Sequence, residues 1–181
     1  MASLLSSATK AAHSAAVSLL AAAEVKVGST IATAVPVKEN EALKTFTFDG
    51  ITGKNIFVGV PGAFTGTCSR QIPGYIERYD QFKAKGVNDI YVVAVNDVFV
   101  MKCAHMLVRQ ARANRRASIR FIADDRGSFV GALGMLWDAT ERLGAPRSKR
   151  FVLVTEGNEV KFFAVEPVTS ELTVTAADKI L

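Results

Sequence analysis

The chain has only two cysteines, Cys68 and Cys103, and two histidines, His13 and His105, among 181 residues. Thiols this few and this far apart cannot build a disulfide framework, so the sequence reads as a protein of a reducing compartment, held by a core and not by staples. No CxxC or HExxH occurs, which excludes the common zinc patterns, and no metal or cofactor is implied. No apolar run reaches the roughly 18 residues of a membrane span. Acidic residues are absent from 1–23, an Ala/Ser-rich stretch whose only lysine or arginine is Lys10.

What is present suits a packed globular protein: 49% hydrophobic and 22% charged residues, in a length typical of one domain. The net charge of +5 raises the question of nucleic acid. Arg109, Arg112, Arg115, Arg116 and Arg120 carry much of it, without interleaved aromatics for base stacking, so no nucleic-acid partner is expected and the cluster reads as a solvated basic face.

The chain divides into residues 1–23 and a domain over 24–181. In the first part, Leu4, Leu5, Ala8, Ala12, Ala15, Ala16, Leu19 and Leu20 recur near helical spacing. Such a helix suits a mitochondrial address, despite its poverty in arginine, or packing on the domain; the alternative compartment is the cytoplasm. Asn55–Val60, Asp89–Val95 and Ile119–Ala123 are short, apolar and β-branched, as buried central strands are. Thr45–Phe48 alternates as a short strand. Phe151–Thr155 and Glu159–Val165 flank Glu156-Gly157-Asn158, a hairpin signal. Helical patterns follow Cys68 (with Pro73 set to kink or restart the first), Asp97 (its N-cap) and Ser128, and a last helix is expected over Ser170–Leu181. The order β-α-β-α-β-α-β-β-α predicts an α/β fold, a mixed sheet flanked by helices.

The chemistry concentrates where the Asn55–Val60 strand meets Pro61-Gly62. Thr65 can cap the next helix, which puts Cys68 in its first turn, near unpaired backbone N–H groups and the positive end of the helix dipole. The thiolate is the nucleophilic form of cysteine, and such surroundings favour it. Pro61-Gly62-Ala63-Phe64-Thr65-x-x-Cys68-Ser69 resembles the active-site signature of the peroxiredoxins, in their type II or type 5 branch. The likeness continues in Pro73-Gly74-Tyr75, Val95-Asn96-Asp97-x-Phe99-Val100-Met101, Phe121-x-Ala123-Asp124, Phe129-x-x-Ala132-Leu133-Gly134 and Arg147-Ser148-x-Arg150-Phe151.

That resemblance implies a thioredoxin-like fold and a thiol peroxidase acting on hydrogen peroxide and small organic hydroperoxides. Cys68 would be oxidised to a sulfenic acid, with Thr65 aligning the peroxide, Pro61 shielding the sulfur and Arg147 beside it. Two departures stand out. Many relatives carry a histidine four residues after the cysteine, whereas here the spacing to Pro73 is one residue shorter and no histidine occurs. The usual positions of a second, resolving cysteine, in Ile90–Val95 or Val174–Leu181, hold none. Cys103 is either a small core residue of its helix or an unusual resolving thiol. The resemblance therefore implies a one-cysteine cycle with an external donor, glutathione with glutaredoxin or a thioredoxin, and a homodimer. The alternatives are a redox sensor using the same cysteine, or a Cys–His hydrolase with His105 as base.

Overall fold

The computed structural model describes residues 24–110 and 117–181. The helix expected in 1–23 lies outside them. Strands β1 (Val37–Lys38), β2 (Thr45–Phe46), β3 (Lys54–Gly59), β4 (Val87–Ala94), β5 (Ile119–Ala123), β8 (Phe151–Glu156) and β9 (Glu159–Val165) form one sheet, ordered β2-β1-β5-β4-β3-β8-β9. The centre, β3-β4-β5, is parallel, and the flanking pairs are antiparallel. A separate ribbon pairs β6 (Leu136–Trp137) with β7 (Arg147–Ser148). The helices are α1 (Cys68–Glu77), α2 (Tyr79–Ala84), α3 (Val98–Gln110), α4 (Ser128–Ala132), α5 (Thr140–Leu143) and α6 (Ala177–Ile180).

Successive strand residues point to opposite faces, so the central strands feed two cores. Ile56, Val58, Ile90, Val92, Phe121 and Val152 face α1, α2 and α3, meeting Ile72, Tyr75, Phe82 and Met101. Phe57, Tyr91, Val93, Ile122 and Leu153 face the other way, onto Phe129, Val130 and Leu133 around α4. Burying each large apolar side chain contributes about 1.5–3 kcal/mol, which explains why these runs carry no polar alternation. Phe48 packs edge-on against Phe57 and Tyr91, with ring centroids 5.1 Å away in each case. It lies beyond the two residues of β2, so the expected strand over Thr45–Phe48 is half as long as its alternation suggests.

Three other differences bear on the site. Pro73 sits inside α1 without ending it, and the break comes later, at Arg78 between α1 and α2. The expected helix over Ser170–Leu181 is only Ala177–Ile180, because the residues before it are bound to the Glu166 carboxylate instead of to each other. Arg120 is no free member of a basic face. Its guanidinium grips Glu39 (2.6 Å at the shortest) and lies 5.0 Å from the Phe46 ring and 5.1 Å from that of Tyr91. The side chains of Arg109, Arg112, Arg115 and Arg116 lie outside the described residues.

The carboxyl ends of the parallel strands share one edge, where α/β sheets place their reactive groups. Val60 N–H continues β3 onto Val93 O, and the Asn96 side chain beyond β4 accepts from Ala63 N–H at 3.2 Å. These two ties fix the turn that delivers Cys68. At the end of β3, Gly59 is obligatory for packing, since a Cβ there would lie 2.1 Å from the Phe151 ring. That close approach presses β8, and the residue before it, against the same turn.

Candidate active site

Cys68 is the first residue of α1 and is fully buried, at 0% exposure. Thr65 does not cap the helix. Its N–H donates to Gly62 O and its carbonyl accepts from Ser69 N–H, which leaves the hydroxyl free to donate to Cys68 Sγ at 2.8 Å. The cap position belongs to Thr67, whose hydroxyl donates to Ser170 O at 2.8 Å and so bonds no helix N–H. The N–H groups of Ser69, Arg70 and Gln71 already meet the carbonyls of Thr65 and Thr67. Side-chain donors, more than free amides of the first turn, therefore surround the sulfur.

The second donor is Arg150, and this corrects the expectation for Arg147. Arg150 Nη1 lies 3.4 Å from Cys68 Sγ, while the Arg147 guanidinium donates to the carbonyls of Val95 and Leu143. The register explains the choice. Gly59 pairs with Phe151, so the residue just before β8 lies against Val60 and Pro61, whereas Arg147 is held in the separate β6–β7 ribbon. Arg150 is 1% exposed and pairs with no carboxylate among the described residues. Its other donors go to Thr169 O (3.1 and 2.9 Å) and to Gln71 Oε1 (2.7 Å). A buried cation with only neutral acceptors is costly, so every one of these hydrogen bonds is needed to hold the guanidinium beside the sulfur.

Gln71 lies one turn after Cys68 on the buried face of α1, and sequence reasoning missed it. Its amide donates to Thr175 O and Thr175 Oγ1 (3.2 and 3.0 Å), and Tyr75 Oη donates to the same carbonyl at 2.8 Å. Thr175 in turn donates its N–H and hydroxyl to Glu166 Oε1 (2.8 and 2.9 Å), while Thr173 donates to both carboxylate oxygens (2.7 and 2.6 Å). Burial pushes the Glu166 carboxyl up, but the donors from Thr173 and Thr175 together outweigh it and hold it below its ordinary value. Burial, aided by the negative charges of Asp178 and Glu166, pushes the Tyr75 phenol far above its usual range, so it stays a donor. The chain Cys68–Arg150–Gln71–Thr175–Glu166 is thus a satisfied polar network inside the core. The sequence signal for it was a buried-face glutamine one turn past the cysteine.

Next to this network opens a cavity of about 520 Å³, whose walls include Pro61, Thr65, Arg150, Trp137 and Leu143. Both groups that touch Cys68 Sγ therefore line it. Pro61 is buried and brings no N–H to that wall. Cys103, expected as either a core residue or a resolving thiol, is exposed on α3, which removes the core reading. Both cysteines are free thiols. His105 stacks on Phe121 with centroids 5.0 Å apart, and the sulfur's hydrogen-bond partners are Thr65 and Arg150, so the hydrolase arrangement lacks its base.

A sulfur whose hydroxyl and guanidinium partners both line a cavity is placed so that, as a thiolate, it could attack an oxygen of a bound molecule while the same donors hold the leaving oxygen. Known proteins agree with that chemistry. The sequence pattern of the Redoxin family matches residues 26–181. Peroxisomal membrane associated protein 20 of Schizosaccharomyces pombe is 42% identical over 157 residues, covering 87% of this chain and 97% of that protein. Peroxiredoxin-2C of Oryza sativa subsp. japonica is 40% identical over 71% of this chain and 76% of its own. The crystal structure of reduced Prx3 from Vibrio vulnificus in complex with H2O2 superposes with a TM-score of 0.75 at 32% identity, covering 86% of this chain and 97% of the other. With the fold, the motif order and the buried cysteine in agreement, the chain belongs to the peroxiredoxins of the type II or type 5 branch, thiol-dependent peroxidases of thioredoxin-like fold.

Proposed function

We propose that Cys68 is the peroxidatic nucleophile, with Thr65, Arg150 and Pro61 as its helpers. The thiolate sulfur attacks the terminal oxygen of R–O–O–H, an S–O bond forms as the O–O bond breaks, and RO⁻ takes a proton to leave as ROH. Sulfur loses two electrons and the peroxide gains them, which yields a sulfenic acid. The Thr65 hydroxyl aligns the peroxide, Arg150 stabilises the charge growing on the leaving oxygen, and Pro61 adds no competing donor to the wall. The observation that carries this reading is the pair of donors that converge on one buried sulfur and also line the cavity beside it.

The reductive half belongs to an external thiol. Two equivalents of thiol convert Cys–SOH to Cys–SH, water and a disulfide, with glutathione and glutaredoxin, or a thioredoxin, as donors. The exposure of Cys103 on α3, against the full burial of Cys68 beneath Thr65 and Arg150, supports a one-cysteine cycle. One equivalent of peroxide should add a single oxygen at Cys68 and leave Cys103 free by mass spectrometry, and Cys68→Ser should show no turnover with a thiol donor. A Cys68–Cys103 linkage would overturn the one-cysteine reading; full peroxide consumption by the serine variant would overturn the role of Cys68.

A homodimer fits an apolar hollow beside the active-site turn. Ala63, Phe64, Ile72, Pro73, Leu107 and Val108 line about 260 Å³, and Phe64 and Leu107 are 53% and 55% exposed. Phe64→Glu should shift the mass in solution from dimer to monomer by light scattering. For residues 1–23 the proposal is a mitochondrial address, tested by the destination of a fluorescent protein fused behind them.

A further inference from the structure

Arg150, Gln71, Thr175 and Glu166, all buried, join in a run of hydrogen bonds whose donors all point the same way. Arg150 Nη1 donates to Gln71 Oε1 at 2.7 Å, Gln71 Nε2 to Thr175 Oγ1 at 3.0 Å, and Thr175 Oγ1 to Glu166 Oε1 at 2.9 Å. The run starts on a cation and ends on a carboxylate, the sense in which successive dipoles reinforce one another. Its direction is forced at both ends. A guanidinium has no acceptor, so it can meet only the oxygen of the Gln71 amide, and an ionised Glu166 can only accept. The amide nitrogen then faces Thr175, whose carbonyl also accepts from it at 3.2 Å. Position 71 therefore needs an acceptor and a donor at once. An amide carries both at every pH. An imidazole carries both only while neutral, because the imidazolium has two donors and no acceptor.

We propose that Gln71 is a positioning residue of the peroxidase: its amide couples Arg150 to Glu166 and holds the guanidinium on the sulfur with an acceptor that does not titrate. The inference rests on the roles given above to Cys68 and Arg150. Thr169 O takes Nε and Nη2 of that arginine, which leaves Nη1 to Gln71 and the sulfur. The amide thus places the one nitrogen that lies 3.4 Å from Cys68 Sγ, the nitrogen that meets the leaving oxygen. The ionisable groups around position 71 are Cys68 and Tyr75 on α1, Arg150 before β8, Glu166 after β9 and, beside Tyr75, Asp178 on α6. Tyr75 stays protonated and Glu166 ionised across the neutral range, and no histidine stands among them.

The test compares full-length wild type with Gln71→Met and Gln71→His in single-turnover oxidation by hydrogen peroxide, from about pH 5.5 to about pH 8.5. Each rate is read on the folded fraction and divided by the wild-type rate at the same pH, which removes what all three share. Methionine fills a similar volume without a hydrogen bond, and its ratio should sit about tenfold or more below one at every pH. Histidine should bring the ratio to within a few-fold of one above about pH 8. Burial and the facing guanidinium lower the pKa of an imidazole there, so the ratio should fall to the methionine level below the ordinary value of about 6.5. Urea titration gives a readout free of activity. Gln71→His should lose stability against wild type as pH falls below about 6.5, where the unfolded chain takes the proton first, and Gln71→Met should run parallel to wild type. A methionine variant at the wild-type rate, or a histidine variant whose ratio is flat with pH at any level, would overturn the proposal. A wild type that leaves Cys68 unoxidised would strike the peroxidase reading instead, and the urea titration would still decide whether position 71 holds a guanidinium.

Discussion

Replacing Arg150 by methionine should slow oxidation of Cys68 by about 10²- to 10³-fold, the usual cost of removing one preorganised donor from a developing charge. The same replacement at Arg147 should leave that rate within a few-fold. The contrast follows from position: Arg150 Nη1 is 3.4 Å from the sulfur, and Arg147 braces the carbonyls of Val95 and Leu143. Arg147→Met should therefore show mainly as lower stability, because two carbonyls lose a donor. Arg150→Met also strands Thr169 O and Gln71 Oε1, so its rate must be read on the folded fraction, by stopped-flow at a temperature where far-UV dichroism shows native helix. Arg150→Lys separates charge from shape. Lysine restores a cation but not the fork that reaches Thr169, Gln71 and Cys68 together, so recovery should be partial. If Arg147→Met were the slower enzyme, the assignment of the two arginines would be reversed.

Those two arginines also mark how far the sequence can be read. The central strands were legible because both faces of β3, β4 and β5 are buried, which leaves unbroken apolar runs, and Asp97 was legible as a cap because its side chain takes the N–H groups of Phe99 and Val100. Strands of two residues, β1, β6 and β7, are too short to show any period. Arg147 and Arg150 stand three residues apart in one motif, and only the pairing of Gly59 with Phe151 decides which reaches the sulfur. Cys103 has the local pattern of a core position, yet the turn of α3 faces it outward. The stretch after Glu166 reads as a helix by composition. It is instead organised by one carboxylate whose partners lie seven and nine residues onward, a range that helix periodicity does not describe.

That carboxylate gives the second large effect. Glu166 is 3% exposed and accepts four hydrogen bonds from Thr173 and Thr175. In Glu166→Gln one acceptor oxygen becomes an NH₂ group facing donors, and the loss should be about 3 kcal/mol of unfolding free energy at neutral pH, read by urea titration. Burial opposes the charged form and the threonine donors favour it. The donors prevail, so the carboxyl titrates lower in the folded chain than its ordinary 4.5. A depressed folded value contributes stability that is fully present above the unfolded value and disappears as pH falls through the folded one. Wild-type protein should therefore lose stability on acidification below about pH 4.5, and the glutamine variant should show a shallower acid limb. The variant should also lose peroxidase rate, by about tenfold, through a path with no contact to substrate. Thr175 steadies Gln71, and Thr169 and Gln71 hold the guanidinium, so a loosened 166–175 segment lets Arg150 wander from the sulfur. Faster amide exchange across 167–175 with unchanged exchange in β3 and β4 would locate the damage there, whereas a full rate with a destabilised fold would confine Glu166 to the scaffold.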